Sequence, residues 1–226
     1  MVSHDGAPST PARVGSFAWG LVLVWLPVQA LVRAAFSGPY HWTRNGFGDL
    51  GAVRCGVVAV PVLGDPHYVC SPWHQAMNAA TAATGLLALT ALLLTRWELW
   101  PRGSLATTGV VLLGVSAVGR VLSGAVPEDV HASVHLAASA VDLCLAPVAM
   151  VVLGLAVRGE RTGLGLFTFG LGAFALLGLL LAGPLGLGVA GAERLAAYPV
   201  VVWMVGMGAL VFDRTLRARR HSPAPV

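Results

Sequence analysis

The sequence contains no lysine, and charged residues of either sign fill only 11% of its 226 positions. Soluble domains carry roughly a quarter charged residues, so this chain cannot cover a globular surface with them. Its hydrophobic share is 56% and its mean hydropathy is +0.76. These values exclude a soluble domain and predict an all-α integral membrane protein. The basic residues are fourteen arginines, giving a formal net charge of +4 and a pI near 9.5. A basic pI alone would suit nucleic acid, but the arginines lie between apolar runs instead of forming one patch with interleaved aromatics, so no nucleic-acid partner is expected.

Catalytic signatures are missing as well. The chain has no nucleophile elbow, P-loop, dinucleotide fingerprint or CxxC pair, and no cofactor is expected from it.

What the sequence does contain is a series of apolar runs near 14–36, 74–95, 105–126, 133–157, 163–188 and 195–213. Each approaches the roughly 20 residues a helix needs to cross about 30 Å of hydrocarbon. The runs are separated by RWELWPRGS, AVPED, VRGERTG and AGAERL, short connections that leave no room for a separate soluble domain. The expectation is a single six-helix membrane domain over 14–216. The first run follows a thirteen-residue polar tail and lacks a small-x-small cleavage site, so it reads as a retained helix and not as a signal peptide. The tails, 1–13 and 217–226, are rich in Pro, Ser or Arg and are expected to be disordered and cytoplasmic.

Six spans put both termini on one side. That side collects Arg13, Arg96, Arg102, Arg158, Arg161, Arg214, Arg217, Arg219 and Arg220; the other collects Arg33, Arg44, Arg54 and Arg194. By the positive-inside rule the termini are expected to be cytoplasmic and loop 37–73 extracytoplasmic. That loop holds Cys55 and Cys70, and disulfides persist in such a compartment. A bridge between them would close a sixteen-residue loop and contribute about 3 kcal/mol; the alternative is two free thiols. Cys144, alone within the fourth run, reads as a small buried hydrophobe.

The polar residues within the runs follow helical spacing. His131, His135 and Asp142 fall within about 40° of one another on the fourth helix, with Ser139 beside them. His74, Asn78, Thr81 and Gly85 share a face of the second, and Ser116, Arg120 and Ser123 an arc of the third. An unpaired charge at the bilayer centre costs at least about 2.5 kcal/mol, so Arg120 and Asp142 are expected to pair inside the bundle. Such a pair serves as gate, proton path or substrate contact, or only fixes one helix against another. Ser71 before Pro72 reads as a helix cap and Ser123 as an interhelical hydrogen-bonding group. His131 and His135 are spaced as two zinc ligands would be, with Glu128, Asp129 or Asp142 as an oxygen donor; the pattern lacks the adjacent glutamate of a metalloprotease helix, and no metal is predicted.

The segments NGFGDLG, CSPWHQAMNAATAATG, GRVLSGAVPEDVHASVHLAA and GAERLAAYPVVVW occur in an order that resembles the bacterial membrane family called domain of unknown function 998. The resemblance spans almost all of the chain between the tails. It implies six helices in a bacterial inner membrane, and it carries over Asp49, Leu50, Gly51, Ser71, Pro72, Asn78, Pro127, Asp129, His135, Glu193 and Arg194. It also implies a shared site on the outer face, without naming a reaction.

Three functions compete. A non-enzymatic protein would bind a lipid, isoprenoid or other small apolar ligand, or a membrane partner, in an outer cavity. An intramembrane enzyme, including a metal-dependent hydrolase, would act on a lipid or polyprenyl substrate through Asp129, His135 and His131. A small transporter would use Arg120 and Asp142, although no inverted repeat stands out. A polar pocket in the extracytoplasmic half is expected, formed by Asp49, Asn78, Arg120, Asp129, His131, His135, Asp142, Glu193 and Arg194; the alternative is that these residues serve as separate local caps and interhelical bonds. His135 is a member whose ordinary titration range lies near neutral pH. Reporter fusions at residue 226 and within 127–132 should lie on opposite sides of the membrane; the same side for both would break the six-span map.

Overall fold

A computed structural model of the chain describes residues 7–59 and 65–221, the side chains of 219–221 apart. Six helices in it are long and apolar enough to cross a membrane. The first span consists of α1 (Thr10–Leu21) and α2 (Trp25–Ala34), joined by a 3-10 turn at Val22–Val24. Ser9 caps its start, with Oγ accepting from Ala12 N, and Pro11 occupies the first turn. Pro27 has no N–H to offer the carbonyl four residues earlier, and the helix tightens there. The expected disordered tails are shorter than the sequence suggests, since Thr10–Arg13 and Arg217–His221 are helical. Residues 1–6 and 222–226 lie outside the described residues.

The remaining spans are α4 (His74–Leu99), α5 (Ser104–Ala125), α6 (Ala132–Val157), α7 (Thr162–Leu181) and α8 (Gly188–His221). Between the first span and α4 lie α3 (Phe47–Leu50) and an antiparallel hairpin of β1 (Gly56–Val58) and β2 (His67–Val69), paired Gly56 to Val69 and Val58 to His67. A Cys55–Cys70 disulfide closes the base of the hairpin. Cys144, expected inside, is on the exposed side of α6.

One boundary differs from expectation. The fifth apolar run reads as continuous to 188, but α7 stops at Leu181 and α8 begins at Gly188 instead of near 195. The segment between them holds Gly183, Pro184 and Gly186, and both Gly186 (φ +70°) and Gly188 (φ +64°) are left-handed. Glycine takes up that geometry without a Cβ clash, so the chain turns there although its hydropathy does not change. AGAERL is consequently helical, and Glu193 and Arg194 sit in the first turns of α8.

Each long helix packs on the next in sequence, and α8 returns to α1, closing a ring. One end of the ring brings together the start of α1, the end of α4, the α6–α7 turn and the last turns of α8. There Ser9 N donates to Glu98 Oε1 (3.2 Å), and Arg161 and Arg214 donate to Glu98 O. This is the arginine-rich end, and loop 37–73 lies at the other. Towards the loop, Trp25, Val32, Leu50, Met77, Ala197 and Val201 form a compact apolar cluster.

Candidate functional site

Leu50 is fully buried in that cluster, which means α3 is inserted between the ends of the helices instead of lying over them. Its peptide groups therefore need partners from the protein. Asn78 of α4 donates to Gly51 O (2.8 Å), and Ser71 Oγ donates to Leu50 O (2.7 Å). Glu193 of α8 accepts from Phe47 N (2.8 Å). Asp129, in the α5–α6 turn, accepts from both Val53 N and Arg54 N (3.0 and 2.8 Å). Asp49 accepts from Gly46 N, Asn45 Nδ2 and His67 Nε2, tying the start of α3 to the hairpin. Arg194 donates to Trp42 O, Asn45 O and the Tyr40 hydroxyl while its guanidinium stacks near Tyr40, Trp42 and Phe47. Burial raises the Tyr40 hydroxyl to about 12, with Arg194 opposing the shift, so it stays protonated.

Beneath this plug is a cavity of about 40 Å³. Its polar wall is Asn78, Thr81, Arg120, Ser123, His135, Ser139, Asp142 and Glu193; Trp25, Phe47, Met77 and Leu143 supply an apolar wall. Arg120 and Asp142, both buried, form the expected ion pair at 2.9 Å. Ser116 Oγ adds a hydrogen bond to Asp142 Oδ1 (2.9 Å), and Trp25 presents its ring 5.4 Å from the Arg120 guanidinium.

His135 is buried and bonded through Nδ1 to Val126 O (2.8 Å). A carbonyl only accepts, so that nitrogen carries a proton and Nε2 is left to face Glu128 Oε2 at 3.9 Å. Glu128 is 7% exposed, and its Oε1 has no hydrogen-bond partner among the described residues. Gly48 makes this approach feasible, because a Cβ there would collide with Glu128 Oε2 and stand 3.3 Å from His135 Nε2.

A family model described as "Protein of unknown function (DUF998)" matches residues 18–210. The chain belongs to the DUF998 family. No curated protein and no solved structure matches it.

In this DUF998 chain the nine residues expected to share a pocket divide by what they touch. Asn78, Arg120, His135, Asp142 and Glu193 line the cavity. Asp49 and Glu128 line a smaller neighbouring void that shares Glu193 with the cavity. Asp129 and Arg194 face away from the cavity, spent on loop backbone, and His131 is exposed at the N-cap of α6. His131 and His135 thus occupy different environments, and among the described residues no three His, Cys, Asp or Glu side chains gather as a metal set. Two smaller expectations are corrected. Ser71 holds Leu50 O instead of capping α4, and Ser123 Oγ bonds to Arg120 O in its own helix. Glu128 was weighed only as a ligand oxygen; its burial beside His135 follows from the turn that Asp129 fixes, which residue spacing does not encode.

Glu128 has an ordinary carboxyl value of 4.5, and burial pushes it up to about 8, helped by the charges of Asp49, Glu193 and Asp129. Between these values the folded protein keeps a proton that the unfolded chain has released, so stability falls as pH rises through this window and levels off above it. Thermal unfolding of purified protein between about pH 5 and 9 should show wild type losing a few kcal/mol relative to Glu128→Gln, which lacks the group. Parallel pH profiles would contradict the buried carboxyl.

Proposed function

We propose that this DUF998 protein is a membrane-embedded binding protein for the neutral or cationic polar head of a lipid-like molecule. The observation that carries the reading is the charge balance of the cavity. Among the described residues Arg120 is the one arginine lining it and is already paired with Asp142, while the Glu128 and Glu193 carboxyls stand near with no arginine at ion-pair distance. An anionic head would meet acceptors; a hydroxyl or amine head would meet Asn78, Ser139, His135 and Glu193, groups able to accept its protons. A purely apolar ligand would leave those polar atoms unpaired at a cost of about 1–3 kcal/mol each, which narrows the ligand class expected from sequence.

The size of the cavity fits the polar end alone. About 40 Å³ accommodates a few water-sized groups, and the wall of Trp25, Met77 and Leu143 provides apolar contact for the adjoining carbons. The extracytoplasmic placement of this site, with cytoplasmic termini, is part of the same proposal and rests on the arginine distribution, while the bacterial inner membrane rests on the family resemblance.

A second reading, an enzyme acting on such a molecule, is favoured by one feature. The Glu128 carboxyl, pushed up to about 8 by burial, stands 3.9 Å from His135 Nε2, an acid beside a base. Binding without turnover separates the two readings.

The test uses dodecanol and dodecylamine as probes. At about ten times Kd either should raise the melting temperature of the detergent-purified wild type by about 3–5 °C. Ser139→Leu, which fills the cavity, should show no shift. Equal shifts in both proteins, or none in either, would overturn the binding site. Conversion of a probe by wild type and not by Glu128→Gln would establish the enzyme instead.

A further inference from the structure

At the opposite end of the bundle a groove of about 260 Å³ lies at the α4–α5 turn, lined by Arg96, Trp97, Trp100, Arg102, Ala106 and Thr107 among others. Its charges are unbalanced. The Arg96 and Arg102 guanidiniums lie 4.5 and 5.9 Å from the centroid of the same indole, Trp97. Among the described residues neither has a carboxylate within ion-pair distance. Two like charges gathered on one ring favour a shared anion.

The donors around them are unspent too. The α5 helix begins at Ser104 behind Gly103, with no side-chain cap, and its first backbone bond donates from Thr107 N to Gly103 O. The N–H groups of the first turn are left for another acceptor. Trp100, 5% exposed and part of the groove wall, has an indole N–H with no hydrogen-bond partner among the described residues. Nothing stands within 4 Å of where a Gly103 Cβ would be, so the turn is open to a ligand.

The location selects the kind of anion. The groove joins the ends of two membrane spans, and Trp97, 65% exposed in the last turn of α4, has the position of an interfacial aromatic. Basic recesses between spans at this level suit lipid phosphates. We propose that the Arg96/Arg102 groove binds the phosphate of an anionic phospholipid, the glycerol and acyl chains continuing along α4 and α5. It is independent of the outer cavity, which has no cation to spare.

Native mass spectrometry of delipidated, detergent-purified protein titrated with phosphatidylglycerol and with phosphatidylcholine tests the assignment. Phosphatidylglycerol should bind wild type with one tight site, and Arg96→Gln and Arg102→Gln should each weaken it about fivefold, the double variant about thirtyfold. Each single variant removes a partly or fully exposed side chain and leaves the core intact. Phosphatidylcholine binding as tightly as phosphatidylglycerol, or a double variant indistinguishable from wild type, would overturn the proposal. Inorganic phosphate displacing the lipid at equal concentration would show a soluble-phosphate site and overturn the lipid assignment.

Discussion

A stretch of non-helical backbone inserted between membrane helices has to find a partner for every peptide group, because hydrocarbon offers none. Residues 45–52, irregular apart from the single turn of α3 (Phe47–Leu50), are such a stretch, and this half of the protein is organised around meeting their demand. Side chains from the α5–α6 turn, from α8 and from around the start of α4 each reach the loop, binding Phe47 N, Val53 N, Arg54 N, Asn45 O, Leu50 O and Gly51 O. The disulfide and Asp49 hold the loop together internally. An acidic residue at a helix end here is first an acceptor for peptide N–H groups, and only what is left over is available for ligand chemistry.

What is left over is small and specific. Arg120 and Asp142 neutralise each other, and a buried pair of this kind is strongly destabilised when one partner is removed, by about 3–5 kcal/mol. Their attraction fixes α5 against α6 and also takes the cavity's cation out of competition for ligands. Glu128 and His135 are held by the same turn that presents Asp129, so plugging the bundle and shaping an acid–base pair are consequences of one local conformation. In the proposed function, the charge balance produced in this way decides which head groups are admitted.

The spans were legible because bilayer thickness imposes a length that hydropathy reports directly. The Arg120–Asp142 pair was legible for a related reason: two opposite charges in apolar runs have few alternatives to each other. The α7–α8 boundary was not, since hydropathy continues through Ala182–Leu187 and the break depends on Gly and Pro backbone geometry. Nor were the roles of Asp129 and Arg194. The partners that tie them to the loop are peptide groups 75 or more residues away, and a backbone amide has no sequence signature. Glu128 was obscured by its neighbour: PED offers two acids, and only the folded turn determines that one meets the loop and the other is buried.

Amide hydrogen exchange across residues 45–54, in protein reconstituted into lipid nanodiscs, tests the inserted loop most directly. The account predicts strong protection at Phe47, Val53 and Arg54 in wild type, with Asp129→Ala releasing Val53 and Arg54 while Phe47, bound to Glu193, remains slow. Rapid exchange of all three amides in the wild-type protein would contradict it.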